Sequence, residues 1–231
     1  MNVLGIETSG TIGSVAVCRD TEILAEDILE EGMAHGRMLV PLLDRVVQSA
    51  GWDKRRDIDL IAVSRGPGSF TGLRVGLTCA KTLADAVGKP IIGVCSFDAM
   101  AQNAPDETAH VLVATDAKRN EVYAAAYVRE AGEWVRKHDP QTMTPETAAA
   151  LLSGEVFILG DAATKYAKTF SAPCFRAAPE DLWRIRASVV ARLGLFAYSN
   201  GRRDDALSLE PIYLRRPEAE ERRLARERSS S

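Results

Sequence analysis

A chain of 231 residues with 46% hydrophobic and 26% charged side chains can bury a substantial core, and this balance excludes a disordered or fibrous protein. A formal net charge of −3 argues against unaided nucleic-acid binding, because no overall positive field attracts phosphates. The four cysteines, Cys18, Cys79, Cys95 and Cys174, are too scattered for a zinc or redox pair and read as small buried hydrophobes in a reducing compartment.

The first residues lack a basic segment followed by a long apolar one, and no apolar run reaches membrane-spanning length. The expectation is a cytoplasmic, soluble chain with no membrane association.

Val3-Leu-Gly-Ile predicts a first strand, Thr8-Ser-Gly-Thr-Ile-Gly a turn, and Ser14-Val-Ala-Val-Cys a second strand of period two. Glu22 to Glu30 reads as a third extended segment. Helical spacing begins at His35 and runs to Ala50, where Gly51 stops it. Leu60-Ile-Ala-Val-Ser is a short buried strand, joined by Arg65-Gly-Pro-Gly to a long helix from Ser69 to Val87. Gly88-Lys-Pro ends that helix, Ile91-Ile-Gly-Val forms another buried strand, and a helix covers Ser96 to Gln102.

Asn103-Ala-Pro-Asp-Glu-Thr is polar and turn-rich, and it separates a first lobe, 1–104, from a second, 105–215. Strand signals resume at Val111 to Thr115, Glu121 to Val128 and Trp134 to His138. Thr144-Pro-Glu opens a helix, Val156-Phe-Ile-Leu is a strand, and Ile185 to Tyr198 is a helix stopped by Asn200-Gly. Both halves open strand–turn–strand before helices follow, the rhythm of a duplicated βββαβα unit. Residues 216–231 are dominated by Arg, Glu and Ser and are expected to form a disordered charged tail.

Three segments carry candidate chemistry. The first, Gly66-Pro-Gly-Ser-Phe-Thr-Gly-Leu-Arg-Val-Gly, lies between a buried strand and a long helix. Its glycines let backbone approach closely, Ser69 can cap the helix, and a helix N-terminus attracts anions such as phosphate. A tight turn with Gly68, Gly72 and Gly76 packed closely uses the same residues, and the sequence does not separate the two readings. The second, Glu7-Thr-Ser-Gly, can hold Mg²⁺ and phosphates, although taken alone it reads better as a hairpin turn. The third, Asp116-Ala-Lys-Arg-Asn-Glu-Val-Tyr, is a second hairpin. In it Asp116 either pairs with Arg119 or faces the first hairpin across a cleft, and two hairpins in corresponding positions favour the cleft. Glu7, Thr8, Ser9, Gly66, Gly68, Ser69, Asp116 and Arg119 are thus the candidate nucleotide-binding positions.

The helix after His35 carries Met38, Leu39, Leu42, Leu43, Val46 and Val47 over roughly half its circumference, wider than one core contact requires. Such an arc either wedges between a sheet and a neighbouring element or presents its outer part to another chain. None of the three histidines, His35, His110 and His138, has a helical i, i+4 partner, so no metal site is predicted. No Ser/His/Asp arrangement is legible either, and no residue is assigned a catalytic role.

Gly5-Ile-Glu-Thr-Ser, the long Gly66-Pro-Gly segment, Ile92-Gly-Val, the Asp116 segment and Pro211-Ile-Tyr-Leu-Arg occur in the order and at spacings similar to the TsaB (YeaZ) family, over nearly the whole chain. The resemblance implies an α/β, two-lobed actin-like/sugar-kinase-like ATPase fold with duplicated lobes. It further implies a non-catalytic partner of a TsaD-like catalytic subunit and a TsaE-like ATPase, in the complex that transfers threonylcarbamoyl to adenosine beside the tRNA anticodon. On this reading the chain pairs with the TsaD-like subunit as a heterodimer, forms a homodimer when alone, meets tRNA only through the complex, and needs no cofactor, with weak nucleotide binding left open. His35, Met38, Leu39, Leu42, Leu43, Val46 and Arg74 are its candidate interface residues.

The chain departs from the catalytic relative in two places. Where TsaD carries His-x-x-x-His, Ser96 and Met100 stand here, and neither replaces an imidazole pair for a divalent ion. Where TsaD has paired glycines in the second-lobe turn, Ala117 and Lys118 stand here. Two competing readings remain: a small-molecule kinase or ATPase using Glu7, Ser69 and Asp116, and a metallopeptidase, which the missing His pair opposes.

Overall fold

The computed structural model describes residues 1–29 and 35–215. The first lobe opens with strands β1 (Asn2–Glu7), β2 (Ser14–Arg19) and β3 (Glu22–Ile28), followed by helix α1 (His35–Ser49). Strand β4 (Leu60–Ser64), helix α2 (Phe70–Val87), strand β5 (Ile91–Val94) and helix α3 (Ser96–Ala101) follow. The second lobe repeats the opening with β6 (His110–Lys118), β7 (Glu121–Glu130) and β8 (Glu133–Met143). It continues through α4 (Pro145–Ala149), β9 (Val156–Leu159), α5 (Ala162–Lys165) and β10 (Phe175–Ala177); the last helix, α6 (Ala187–Ser199), packs on the first sheet, so the expected second-lobe bounds 105–215 are corrected there.

Among the described residues the strands form two five-stranded sheets, ordered β3-β2-β1-β4-β5 and β10-β9-β6-β7-β8. In each, the first strand pairs antiparallel with the second and parallel with the fourth. The fourth pairs parallel with the fifth in both. One sheet is therefore the topological copy of the other, which is the two-lobed actin-like/sugar-kinase-like architecture. The parallel strands β4 and β5 are buried along their whole length, which is why both read as unbroken apolar runs.

Local chemistry sets the helix ends. Ser69 caps α2 by accepting from the Gly72 amide at 3.3 Å, and Gly88 ends it in the left-handed conformation at φ 63°. At α4, the Thr144 hydroxyl accepts from the Thr147 amide at 3.2 Å, with Pro145 in the first turn.

Each sheet is covered on both faces. Leu4, Ile6, Val15 and Val17 pack under α1 and α2, whereas Val3, Ala16, Leu60 and Ala62 pack under α6. In the second sheet, Val111 and Val113 face α3, whereas Leu112 and Ala114 face α4 and α5. This alternation is the period of two expected of a strand. The last helix therefore returns to the first sheet, and α3 packs against the second.

Close approach makes that return possible. A side chain on Gly5 would sit 2.2 Å from the Ala187 carbonyl, and one on Gly194 would sit 2.4 Å from Ala62 Cβ. Glu26 receives the start of α6, accepting from the Ser188 amide and hydroxyl at 2.9 Å each, where a carboxylate complements the helix dipole. No helix among the described residues is long and apolar enough to cross a membrane. The charged segment 216–231 lies outside the described residues.

Candidate functional site

The β1–β2 turn places Glu7, Thr8 and Ser9 inside the protein, at no more than 5% exposure each. Glu7 Oε1 accepts from the Ser9 amide and hydroxyl, both at 2.5 Å, and from the Gly10 amide at 3.3 Å. Burial pushes the Glu7 carboxyl above the usual range, and hydrogen bonds from Ser9, Ser64 and Gly10 only partly oppose it. Glu7 Oε2 and Thr8 Oγ1 are buried without a hydrogen-bond partner in bonding geometry.

The glycines of the second motif are used to pack against this turn. A Cβ on Gly68 would meet the Ser9 carbonyl at 2.4 Å, one on Gly72 the Thr8 carbonyl at 2.0 Å, and one on Gly76 the Thr8 hydroxyl at 2.0 Å. The Ser69 amide donates to the Ser9 carbonyl at 2.7 Å. The close approach that the glycines permit is thus filled by the chain itself, so the packing reading of this segment accounts for its spacing. Gly66, at φ 102°, brings its backbone against Ile212 instead.

The second hairpin gathers a different set. Asp116 has a side chain 2% exposed, bonded to Lys118 Nζ at 2.8 Å, to Lys165 Nζ, and to the Tyr166 hydroxyl at 2.9 Å. Burial acts to raise its pKa, but the hydrogen bonds from Lys118 and Lys165 outweigh it and hold the carboxyl far below its ordinary value. The Asp116 amide donates to Asp161 Oδ1 at 2.8 Å, a support that sequence reasoning missed because Asp161 lies 45 residues along the chain. Lys118, Arg119 and Asn120 all have positive φ at the hairpin tip.

The polar groups of the second hairpin are largely engaged with one another. The Asp116 carboxylate is taken by two ammonium groups and the Tyr166 hydroxyl, and the Ala117 side chain beside it is 3% exposed. In the first hairpin, Glu7 Oε2 and Thr8 Oγ1 are the buried side-chain atoms without a hydrogen-bond partner.

Ser96 and Met100 are also committed elsewhere. The Ser96 hydroxyl, fully buried, accepts from the Gly66 amide at 3.1 Å, and the Ser96 amide donates to the Gly66 carbonyl at 2.8 Å. Met100 packs with Phe97, Tyr127 and Phe157 in the core facing the second sheet.

A family model described as "TsaD: tRNA N6-adenosine threonylcarbamoyltransferase" matches residues 23–182. The tRNA threonylcarbamoyladenosine biosynthesis protein TsaB of Haemophilus influenzae is 30% identical over 226 residues, covering 93% of this chain and 94% of its own. The chain belongs to the TsaB (YeaZ) family. Escherichia coli TsaB is 35% identical over 166 residues, covering 69% of this chain and 71% of its own. The solved structure of YeaZ from Pseudomonas aeruginosa superposes with a TM-score of 0.80 at 27% identity, covering 92% of this chain and 99% of that one.

Within this TsaB-family chain the candidate interface needs correction. Leu39, Leu42, Leu43 and Val46 are 1–3% exposed and lie in the first lobe's own core, against strands β1 and β2 and helix α2. The wide arc is explained by the elements that flank α1, so these four residues are not an outer docking face. Met38 is partly buried against the same core. What α1 leaves exposed includes Gly36, Arg37, Pro41 and Val40, the last at 53%. Arg74 is exposed on α2, its guanidinium 4.0 Å over the Phe70 ring and its Nε donating to the Tyr213 hydroxyl at 3.1 Å. The side chain of His35 lies outside the described residues.

Proposed function

We propose that this chain is a non-catalytic partner subunit in the formation of threonylcarbamoyladenosine on tRNA, pairing with a TsaD-like catalytic subunit. Its family membership supports the pathway, since the TsaB relatives are named as tRNA threonylcarbamoyladenosine biosynthesis proteins. The observation that carries the non-catalytic part is Ser96: its hydroxyl is spent on the Gly66 amide at the position where an imidazole would bind metal in the TsaD relative. Met100, at the second such position, is 7% exposed in a hydrophobic cluster.

On this proposal a TsaE-like ATPase joins the pair, the chain forms a homodimer when alone, and tRNA is met through the complex in the cytoplasm. No cofactor is required on this proposal, and any nucleotide that binds is bound weakly. The exposed face of α1 around Val40, with Arg74 on α2, is the surface we assign to the partner.

Co-purification with a TsaD-like subunit tests this. Val40→Asp together with Arg74→Glu is expected to abolish pairing while the chain stays folded. Undiminished pairing in that variant would remove the surface assignment, and no pairing by the unaltered chain would remove the proposal.

A further inference from the structure

The C-terminal segment crosses from one lobe to the other near both candidate hairpins. Leu209, 5% exposed, belongs to the core of the first lobe, whereas Ile212 packs against the core facing the second sheet. Three residues span at most about 10 Å of extended chain, so the two cores are tied within that distance. Pro211 between them removes a backbone freedom from the crossing.

Hydrogen bonds hold the crossing on both sides of Pro211. Lys81 Nζ donates to the carbonyls of Leu207 and Leu209 at 3.1 Å each. The Ile212 amide donates to the Arg65 carbonyl at 2.6 Å, beside Gly66, where a side chain would meet the Ile212 carbonyl at 3.0 Å. The Tyr213 ring then lies 5.1 Å from Phe70 on α2. Beyond it, contacts pass to the second lobe. Thr142 Oγ1 donates to the Leu214 carbonyl at 3.2 Å, and Arg215 donates to the Ala117 carbonyl at 2.5 Å and to Glu121.

A second connection runs through α3, which is tied to the first lobe by Ser96, hydrogen-bonded both ways to Gly66, and by Ala99 packing on α6. Asp98 of α3 accepts from Arg136 Nε of β8 and from the Tyr127 hydroxyl of β7, both at 2.9 Å. Tyr127 is six residues along β7 from Glu121, roughly 20 Å at the rise of a strand. One junction leaves two bodies free to rotate about it, whereas two separated junctions fix their angle.

We propose that residues 207–215 are a strap that locks the angle between the lobes, supplying from within the chain the bridging contacts that a bound ligand provides in folds that close on one. Arg215 and Ile212 are its anchors in the second lobe, and Leu209 is its anchor in the first. Lobe closure in this protein is set by sequence, and loosening the strap frees a hinge at the Asp98–Arg136 junction.

Pulsed electron spin resonance on the full-length chain tests this. Spin labels go on Thr71→Cys of α2 and Thr164→Cys of α5, both exposed, with Cys79 and Cys174 replaced by Ser. The strap-intact chain is expected to give one narrow distance distribution. Arg215→Ala, which leaves both cores intact, should broaden it, and Ile212→Ser with Arg215→Ala should move it to longer distances by more than its original width. Unchanged distributions in both variants would overturn the proposal. So would loss of hydrogen-exchange protection across the first-lobe sheet in both, since the segment would then be an ordinary piece of core.

Discussion

The hydroxyl of Ser96 accepts a hydrogen bond from the amide of Gly66 at 3.1 Å, joining the start of α3 to the loop that precedes α2. Both groups are buried, so the bond cannot be exchanged for water. Ser96→Ala leaves the Gly66 N–H without its acceptor and is expected to cost about 1–3 kcal/mol of stability. Urea unfolding measures it. Ser96→His with Met100→His is expected to destabilise further and to bind no stoichiometric zinc, because both positions sit in packed interior. Metal analysis of the purified variant checks that.

The α2 glycines provide a second expectation. Gly72→Ala places a methyl group 2.0 Å from the Thr8 carbonyl, and Gly76→Ala places one 2.0 Å from the Thr8 hydroxyl. Helix or hairpin must move, at a cost of about 1–3 kcal/mol each by the usual scale of overpacking. Gly51→Ala, with nothing within 4 Å, serves as the comparison for a change that costs through backbone strain alone, since its φ is 71°. If Gly72→Ala and Gly76→Ala melt with the wild type, the glycines do not serve packing.

Helix α1 separates stability from association. Leu42→Asp puts an unpaired carboxylate at a position 2% exposed and is expected to destabilise the lobe by more than about 3 kcal/mol. Val40→Asp, at a position 53% exposed, is expected to change stability by less than about 0.5 kcal/mol. Thermal melts of the two variants side by side decide it, and equal melting temperatures would contradict the assignment of Leu42 to the core.

Two carboxylates give opposite pH dependences. Burial raises the folded pKa of Glu7 above its ordinary value of 4.5, so the native state holds that proton more tightly than the unfolded chain. The Glu7 contribution is fully present below 4.5 and is lost as pH rises through the folded value. Asp116 is depressed below its ordinary 3.8, chiefly by Lys118 and Lys165 against the opposing effect of burial, so its contribution is present above 3.8 and is lost as pH falls. Relative to wild type, Glu7→Gln is therefore expected to become more favourable as pH rises from 4.5, and Asp116→Asn less favourable as pH rises past the depressed value. Parallel unfolding curves across pH for all three proteins would contradict both assignments.

The fold was largely legible because local signals and topology agree. The strands at Val3, Ser14, Leu60, Ile91, Val111 and Val156 all fall within observed strands, and the duplicated opening of the lobes corresponds to two sheets of one topology. What failed to show was long-range. That α6 returns to the first sheet depends on Gly5 and Gly194 admitting close contact, which periodicity does not encode. The breadth of the α1 arc is visible in the sequence, but not the number of elements covering it, so the sequence alone leaves a wedged helix and an outer interface both open. The short elements from Ala162 to Trp183 carry no periodic pattern long enough to detect. In the candidate site, Glu7 and Asp116 were found from motif position, whereas Lys165, Tyr166 and Asp161 were not, because their link to Asp116 is made only by the pairing of β6 with β9.

On the proposed function, this chain supports threonylcarbamoyl transfer without performing chemistry itself. The most direct measurement is product formation on tRNA from threonylcarbamoyl-adenylate, with the purified chain alone, a TsaD-like subunit alone, and the two together with a TsaE-like ATPase. The prediction is no product and no ATP turnover by the chain alone, and product when it is added to the others, lost again with Val40→Asp and Arg74→Glu. Robust ATP turnover or modified tRNA from this chain alone would contradict it.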